Sequence, residues 1–171
     1  FKMIYSKIYS ERVNYPNKFR EILYFSARKL YLDIASFMNV SEEDNYLRCI
    51  YCHYVFDDQK EQFEKHIVNL KNKGNFISTE KMIKILEGKE KLIGKNFHLS
   101  FDDGFKNNLL NAVPILIKHK IPAIFFVPTS IIDSDYDTIK NYCINTTKYK
   151  SAIEMLTWED LKKMLDLGFE I

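Results

Sequence analysis

The chain has 171 residues and a mass of 20.4 kDa. That is enough for one domain of ordinary size, and less than the roughly 200 residues of most complete barrels of alternating strands and helices. Hydrophobic residues make up 46% and charged residues 28%, which excludes a disordered or low-complexity chain. The 25 Lys and Arg nearly balance the 23 Asp and Glu, so the charge gives no support for nucleic-acid binding.

Targeting signals are not evident in the sequence. The longest apolar runs, such as 123–127, fall far short of the ~18 residues that a membrane-spanning helix needs. Residues 1–13 mix charged with apolar side chains and show no signal peptide. We therefore expect no membrane-spanning segment and leave the compartment open between cytoplasm and cell envelope. The three cysteines, an odd number at irregular spacing, predict free thiols.

The pattern of residues near the start of the chain predicts one long helix. Apolar residues recur at three- and four-residue spacing over 14–39, and Asn14 with Pro16 is typical of a helix start. Residues 41–45 form a short polar break, after which the pattern changes. We expect a helical N-terminal extension over 1–45 and a separate α/β domain over 46–171.

The second part alternates predicted strands and helices. The predicted strands are 47–55, 76–78, 96–101, 121–127 and 169–171. Four helices are predicted, and they begin at Asp57 or Asp58, at Thr79, at Lys106 and at Thr157. The third is expected to bend at Pro114, and Asp160 completes a capping box with Thr157. Three of the helices are expected to end at glycines, namely Gly74, Gly88 and Gly168. Residues 133–150 are polar and irregular and are predicted to be a loop. This alternation favours a parallel α/β fold.

The most informative motif is the run of six residues at 100–105, Ser-Phe-Asp-Asp-Gly-Phe. Two adjacent carboxylates, Asp102 and Asp103, stand where a hydrophobic strand stops, and Gly104 permits a sharp turn. Ligands bind at the carboxyl ends of parallel strands, and neighbouring side chains on a strand point different ways. One aspartate could therefore face a metal and the other a water or a substrate proton. A turn with a helix cap is the alternative reading of so short a motif.

This motif and its surroundings resemble the polysaccharide deacetylases, the NodB-homology group called carbohydrate esterase family four. Residues 100–104 match the family's first motif, T-F-D-D-G, with Ser for Thr. The likeness extends from about Leu47 to the last residue. Its other parts are 51–55, similar to Y-H-x-V with Cys52 inserted; 63–94, similar to the linking helices; 121–127, similar to I-P-A-T-F-F-V; and 157–159 with 168–171, similar to the helix and strand that lead into the second motif.

The resemblance implies a fold and an activity. The fold would be the N-terminal part of a distorted (β/α) barrel of the NodB type. The activity would be metal-dependent removal of N-acetyl or O-acetyl groups from an N-acetylated polysaccharide or oligosaccharide, by a hydrolase of carbon–nitrogen bonds other than peptide bonds. Asp102 would be the general base and Asp103 a ligand of a divalent metal, zinc by preference. A metal polarises the amide carbonyl and lowers the pKa of bound water, while a carboxylate takes up the proton.

The chain departs from the family pattern at its end. The second motif, H-S/T-x-x-H, would supply two imidazole ligands just after the segment that ends at Ile171. A catalytic zinc usually has three protein ligands. We therefore expect a truncated site, and a 171-residue chain that by itself binds metal poorly and is inactive.

Two alternatives remain open. The chain could be a non-catalytic glycan-binding or interaction protein that retains only the first motif; the codons that follow Ile171 in the gene would discriminate between the two. A phosphatase with paired aspartates is the weaker alternative, because the D-x-D spacing is absent.

The remaining candidate residues are isolated ones. His53, near the end of the first predicted strand, could reach the mouth of the site and contact substrate, whereas His66, His98 and His119 are interpreted as surface or packing residues. Cys49 to His53 formally match the haem-attachment pattern C-x-x-C-H, but thiols three apart on a strand project to opposite faces, so neither haem nor a zinc ribbon is expected. Trp158 is expected to pack rather than to stack on sugar.

Overall fold

The computed structural model describes residues 4–9, 23, 27 and 44–171. The helix predicted over 14–39 lies outside the described residues, apart from Leu23 and Ala27. In the part of the chain that the structure describes, no helix has the length and apolar character to cross a bilayer.

The centre of the fold is a parallel sheet of four strands, β1 (Tyr46–Cys52), β2 (Asn75–Phe76), β3 (Lys95–Phe101) and β4 (Ile124–Phe125). Strand β3 pairs with β1 along its whole length. Its other edge is shared by β2 near its start and β4 near its end. Glu170 adds a parallel bridge to Ile124, and among the described residues the sheet stays open and does not close into a barrel.

Helices connect the strands, as the parallel arrangement requires. They are α1 (Lys60–Lys73), α2 (Thr79–Leu86), α3 (Val113–His119), α4 (Tyr136–Asn141) and α5 (Trp158–Asp166). Two of them adjoin π-helical segments, Asn108–Ala112 before α3 and Tyr142–Thr146 after α4. The predicted parallel α/β class is thereby confirmed.

Two hydrophobic clusters form the core. The larger lies between the sheet and the helices, where Leu99 and Phe101 of β3 and Phe125 of β4 pack with apolar side chains of α1, α3 and α5. The rings of Phe101 and Phe125 stack with their centroids 4.8 Å apart. The smaller cluster forms around Phe56 and Phe105, with Tyr5 and Tyr9 of the N-terminal segment packed against it. Both clusters border the turn that follows β3.

The helix caps agree only in part with the prediction. The capping box of Thr157 and Asp160 is confirmed, and Gly74 caps the end of α1 as predicted. The prediction that Asp57 or Asp58 caps α1 was wrong. A short 3-10 turn (Asp57–Gln59) precedes α1, and the N-cap residue of this turn is Phe56. The carboxylate of Asp57 instead accepts a hydrogen bond from Asn111, and that of Asp58 from the backbone of Tyr9.

Three further predictions were wrong in detail. The segment 133–150 is not a loop, because Asp135 caps α4 by accepting a hydrogen bond from the Thr138 N–H, and Ile139 is buried in the smaller cluster. The N-cap of α2 is Ser78, one residue before the predicted Thr79. The strands predicted over 47–55 and 121–127 are shorter than expected, since only Tyr46–Cys52 and Ile124–Phe125 make strand pairings.

Candidate active site

The two adjacent aspartates occupy the carboxyl end of β3. The N–H of Asp102 donates to the carbonyl of Cys52 at 2.9 Å and so extends the contact between β1 and β3 beyond the paired strands. Asp103 and Gly104 then both have left-handed backbone conformations, with φ of 68° and 67°. A Cβ on Gly104 would lie 2.7 Å from Cγ1 of Val127, so this position needs glycine for space as well as for conformation.

Backbone and charge contacts hold this turn from the other side. The carbonyl of Gly104 accepts a hydrogen bond from the Leu156 N–H at 2.9 Å. The Nζ of Lys106 lies 3.2 Å from Glu154 and 3.3 Å from Asp160. Burial lowers the pKa of Lys106, but its hydrogen bonds to the two carboxylates outweigh this and raise the pKa overall. The turn is therefore fixed to the segment that leads into α5.

His53 faces both carboxylates from the end of β1. Its Nδ1 lies 3.5 Å from Oδ2 of Asp103 and 3.8 Å from Oδ2 of Asp102, within ion-pair distance when the imidazole is protonated. The side chain is 42% exposed, yet Nδ1 itself is buried and has no hydrogen-bond partner among the described residues. The imidazole thus directs a shielded nitrogen toward the two carboxylates.

Two buried asparagines, which the sequence analysis did not single out, bind carbonyls of the segment that follows β1, and only Asn108 binds His53 itself. Asn108 donates from Nδ2 to the carbonyl of His53 at 3.0 Å, and Asn111 donates to the carbonyl of Val55 at 2.8 Å. Their partners lie 55 and 56 positions earlier in the sequence, so no local pattern could have shown these contacts.

The groups around the aspartates favour their neutral forms. Burial and the negative charge of Asp102 raise the pKa of the Cys52 thiol to about 11. Burial, followed by the charge of Asp103, raises the pKa of Tyr142. Cys52 and Tyr142 are therefore protonated at neutral pH and add no negative charge beside the two aspartates.

The described residues do not make a complete metal site. No group of three or more His, Cys, Asp or Glu side chains lies close enough to hold an ion in the parts of the chain that the structure describes. Asp103 and His53 are two potential ligands, whereas a catalytic zinc usually has three from the protein. This donor set falls short of a zinc site.

The other singled-out histidines have different surroundings. His66 is exposed on α1. His98 is buried on β3 and bonds to the hydroxyl of Thr79 at 3.0 Å, and His119 bonds to Glu64 at 2.6 Å. Their interpretation as surface or packing residues is confirmed.

Trp158 and the three cysteines differ in their exposure to solvent. Trp158 is 55% exposed at the start of α5, so the expectation that it packs was wrong: the Thr157 cap fixes the helix start with this first residue turned outward. All three cysteines are free, as predicted. Cys49 is exposed and Cys52 packs against the larger cluster, so the two thiols do not share a haem-binding surface.

The chain is similar to known polysaccharide deacetylases. The family model of the polysaccharide deacetylases matches residues 89–171, which include Asp102 and Asp103. A search of curated proteins found no significant match. The chain is similar in structure to deacetylases, including IcaB from Ammonifex degensii, with 24% sequence identity and a TM-score of 0.62 over 76% of this chain and 52% of that one.

Two further structures show the same likeness. A de-N-acetylase from Aggregatibacter actinomycetemcomitans is 26% identical, with a TM-score of 0.61 over 73% of this chain and 53% of that one. The BpsB deacetylase domain from Bordetella bronchiseptica is 21% identical, with a TM-score of 0.54 over 74% and 54%. The chain spans about half the length of each matched structure. These likenesses confirm the expected fold, part of a NodB-type barrel.

Proposed function

Because the family model of the polysaccharide deacetylases matches residues 89–171, we propose that the chain supplies part of the active site of a hydrolase that removes N-acetyl groups from an acetylated polysaccharide or oligosaccharide. The observation that carries this proposal is the placement of the His53 Nδ1 within 4 Å of the carboxylates of both Asp102 and Asp103. These groups sit at the carboxyl edge of parallel strands, where ligands bind in such folds.

Asp102 is the proposed general base. Its side chain is 35% exposed, so a water molecule can approach the carboxylate from solvent. In the proposed reaction the carboxylate takes a proton from this water as the water oxygen bonds to the acetyl carbonyl carbon. The carbon–nitrogen bond then breaks, the nitrogen takes up the proton that the carboxylate accepted, and acetate and a free amine are released.

His53 is the proposed substrate contact beside the two aspartates, the role expected from the sequence. Its Nδ1 lies 3.5 Å from Asp103 and 3.8 Å from Asp102, and its side chain is 42% exposed, which leaves a path to substrate. These distances support the assignment of His53 to the same site as the aspartates.

Asp103 is the proposed ligand of a divalent metal, zinc by preference, which when bound would polarise the acetyl carbonyl. The described residues supply too few further ligands to complete such a site. We therefore propose that the 171-residue chain by itself holds metal weakly and does not turn over substrate.

The base is tested by acetate release from N-acetylglucosamine oligomers. The assay uses the protein as its gene encodes it, carrying Asp102→Asn or, as a matched control, Asp166→Asn at the exposed end of α5. We expect Asp102→Asn to lower the rate by about 10²–10⁴-fold, the usual contribution of a general base, and Asp166→Asn to leave it unchanged. Equal rates in the two variants would exclude Asp102 as the base.

The incompleteness of the site is tested on the 171-residue chain. Calorimetric titration with Zn²⁺ should show weak binding that Asp103→Asn weakens further, with no acetate release at any zinc concentration. Tight binding together with turnover by this chain would refute the proposal. Oligosaccharide binding without acetate release, also by the protein as its gene encodes it, would instead support the non-catalytic alternative.

A further inference from the structure

We infer that Asn108 is a positioning residue, whose side-chain amide fixes His53 beside Asp102 and Asp103. The inference rests on the proposed function, because that function gives His53 its role. It concerns a contact between two distant parts of the chain, the exit of β1 and the π-helical segment that follows the aspartate turn.

The segment that carries His53 needs such support. Strand β1 ends at Cys52, and residues 53–56 that follow it belong to no strand or helix. The bond from Nδ2 of Asn108 to the carbonyl of His53 is made to the same residue whose ring faces the carboxylates. A restrained carbonyl limits rotation of the His53 backbone, and so restrains the direction of the imidazole.

The π-helical segment brings two amides to this strand exit. Asn108 and Asn111 lie three residues apart in it, and they bind the carbonyls of His53 and Val55, which lie two residues apart. The two amides therefore bind two carbonyls of the same irregular segment. Single π-helical turns inside α-helices occur frequently at functional sites.

The unsatisfied half of the Asn108 amide argues for a role beyond stability. Asn108 is fully buried, at 0% exposure, and its Oδ1 has no hydrogen-bond partner within the described part of the chain. A buried polar atom without a partner destabilises the folded state, so an apolar side chain of similar size would favour stability unless the donor is required. The donor serves His53.

The position of Asn108 also couples His53 to the aspartates through a short path. The π-helical segment begins four residues after Gly104, and the aspartate turn is itself held by its contacts to residues 154–156. The N–H of Asn108 also donates to the carbonyl of Phe105 at 3.0 Å, so the residue that binds the His53 carbonyl is bonded to the residue that follows Gly104. Displacements of about 1 Å can cost about 10²-fold in rate, so this link is able to set the activity.

The test compares Asn108→Leu with Asn111→Leu. Both replacements keep the side-chain size in the same buried π-helical segment and remove an amide donor, but Asn111 binds Val55 and Asp57 instead of His53. The first readout is the NMR spectrum of histidine rings in the isotopically labelled 171-residue chain, with the His53 signals assigned through His53→Gln. This readout requires no enzymatic activity.

We expect Asn108→Leu to shift the ring signals of His53 and to leave those of His66, His98 and His119 in place, whereas Asn111→Leu leaves the His53 ring unchanged. Unchanged His53 signals in folded Asn108→Leu, or equal shifts in both variants, would overturn the inference. If Asn108→Leu does not fold, Asn108→Ala, which removes the donor and leaves a smaller side chain, is compared with Asn111→Ala under the same criteria.

The second readout is kinetic and uses the protein as its gene encodes it. Asn108→Leu should lower kcat by about 10²-fold with little change in KM, while Asn111→Leu should retain most of the activity. Absence of deacetylation in the unmodified protein would refute the proposed function, and the NMR comparison would still decide whether Asn108 positions His53.

Discussion

Lys106 and Glu154 contact each other twice, through a backbone hydrogen bond of 2.8 Å from the Lys106 N–H to the Glu154 carbonyl and through an ion pair of 3.2 Å between their side chains. The same ammonium group reaches Asp160 at 3.3 Å, and Asp160 caps α5 together with Thr157. Two residues after Gly104, a single side chain thus connects the aspartate turn to the start of a helix.

Replacing this side chain by Lys106→Met should destabilise the protein. Asp160 is only 15% exposed and would lose its cationic partner, which we expect to lower the free energy of unfolding by about 1–3 kcal/mol in urea denaturation. The control is Lys84→Met, which removes an exposed pair with Glu80 on α2 and should have a much smaller effect. Equal losses in the two variants would show that the Lys106 network does not brace the turn.

Gly104→Ala should be more damaging than Gly88→Ala. Both glycines have left-handed φ values, 67° and 71°, so alanine at either position incurs about 1–2 kcal/mol of backbone strain. Only at Gly104 does the new Cβ also meet a neighbour, Cγ1 of Val127 at 2.7 Å, and such overpacking typically adds about 1–3 kcal/mol. Urea unfolding measures the free energy of unfolding of both variants. Gly104→Ala should lose more of it than Gly88→Ala, and equal losses would contradict the close contact with Val127.

His98 should make the stability depend on pH in the mildly acidic range. Burial lowers its pKa in the folded state, and the nearby Glu170 only partly opposes this. Below about pH 6.5, the usual histidine value, the unfolded chain therefore binds more protons, so the free energy of unfolding should fall as the pH decreases from there and stay level above it.

The measurement for His98 is urea unfolding between pH 5 and pH 8 in two variants. His98→Gln, which keeps a polar partner for Thr79, should flatten the dependence, whereas His66→Gln on the exposed face of α1 should leave it unchanged. A slope that survives His98→Gln would assign the effect to another group.

The three thiols should differ in their reaction with iodoacetamide at pH 8. Cys49 is exposed and should react first. The pKa of Cys52, at about 11, leaves on the order of 0.1% as thiolate, and Cys143 is buried. Mass spectrometry should find one modified residue in the folded protein and three in urea, and Cys49→Ser should abolish the fast modification. Labelling of Cys52 as fast as that of Cys49 would contradict the burial of its thiol.

Local sequence patterns predicted those parts of the site whose contacts are local. The turn at Asp102, Asp103 and Gly104 and the capping box of Thr157 and Asp160 each involve residues within a few positions of one another, so residue type alone indicates the structure. The parallel α/β class followed from the alternation of apolar strands with capped helices for the same reason.

The rest depended on contacts between distant segments. The segment 133–150 contains α4 because Ile139 and Cys143 pack into the smaller cluster, together with residues from distant parts of the chain. The polar composition of the segment does not indicate this packing. The approach of His53 to Asp102 and Asp103 depends in the same way on the pairing of β1 with β3. Periodicity places residues on a strand or a helix but does not measure distances between strands.

The parallel pairing of β1 with β3 also has a consequence for the order of folding. During synthesis β1 emerges from the ribosome about 50 residues ahead of its partner, which at about 5–20 residues per second corresponds to roughly 2–10 seconds. Over that interval the nascent chain carries an unpaired strand with Tyr46, Leu47, Ile50 and Tyr51, and an unpaired strand edge is a template for association with other chains. Because pairing over so long a separation is also slow, translation is the stage at which this domain is most exposed to aggregation.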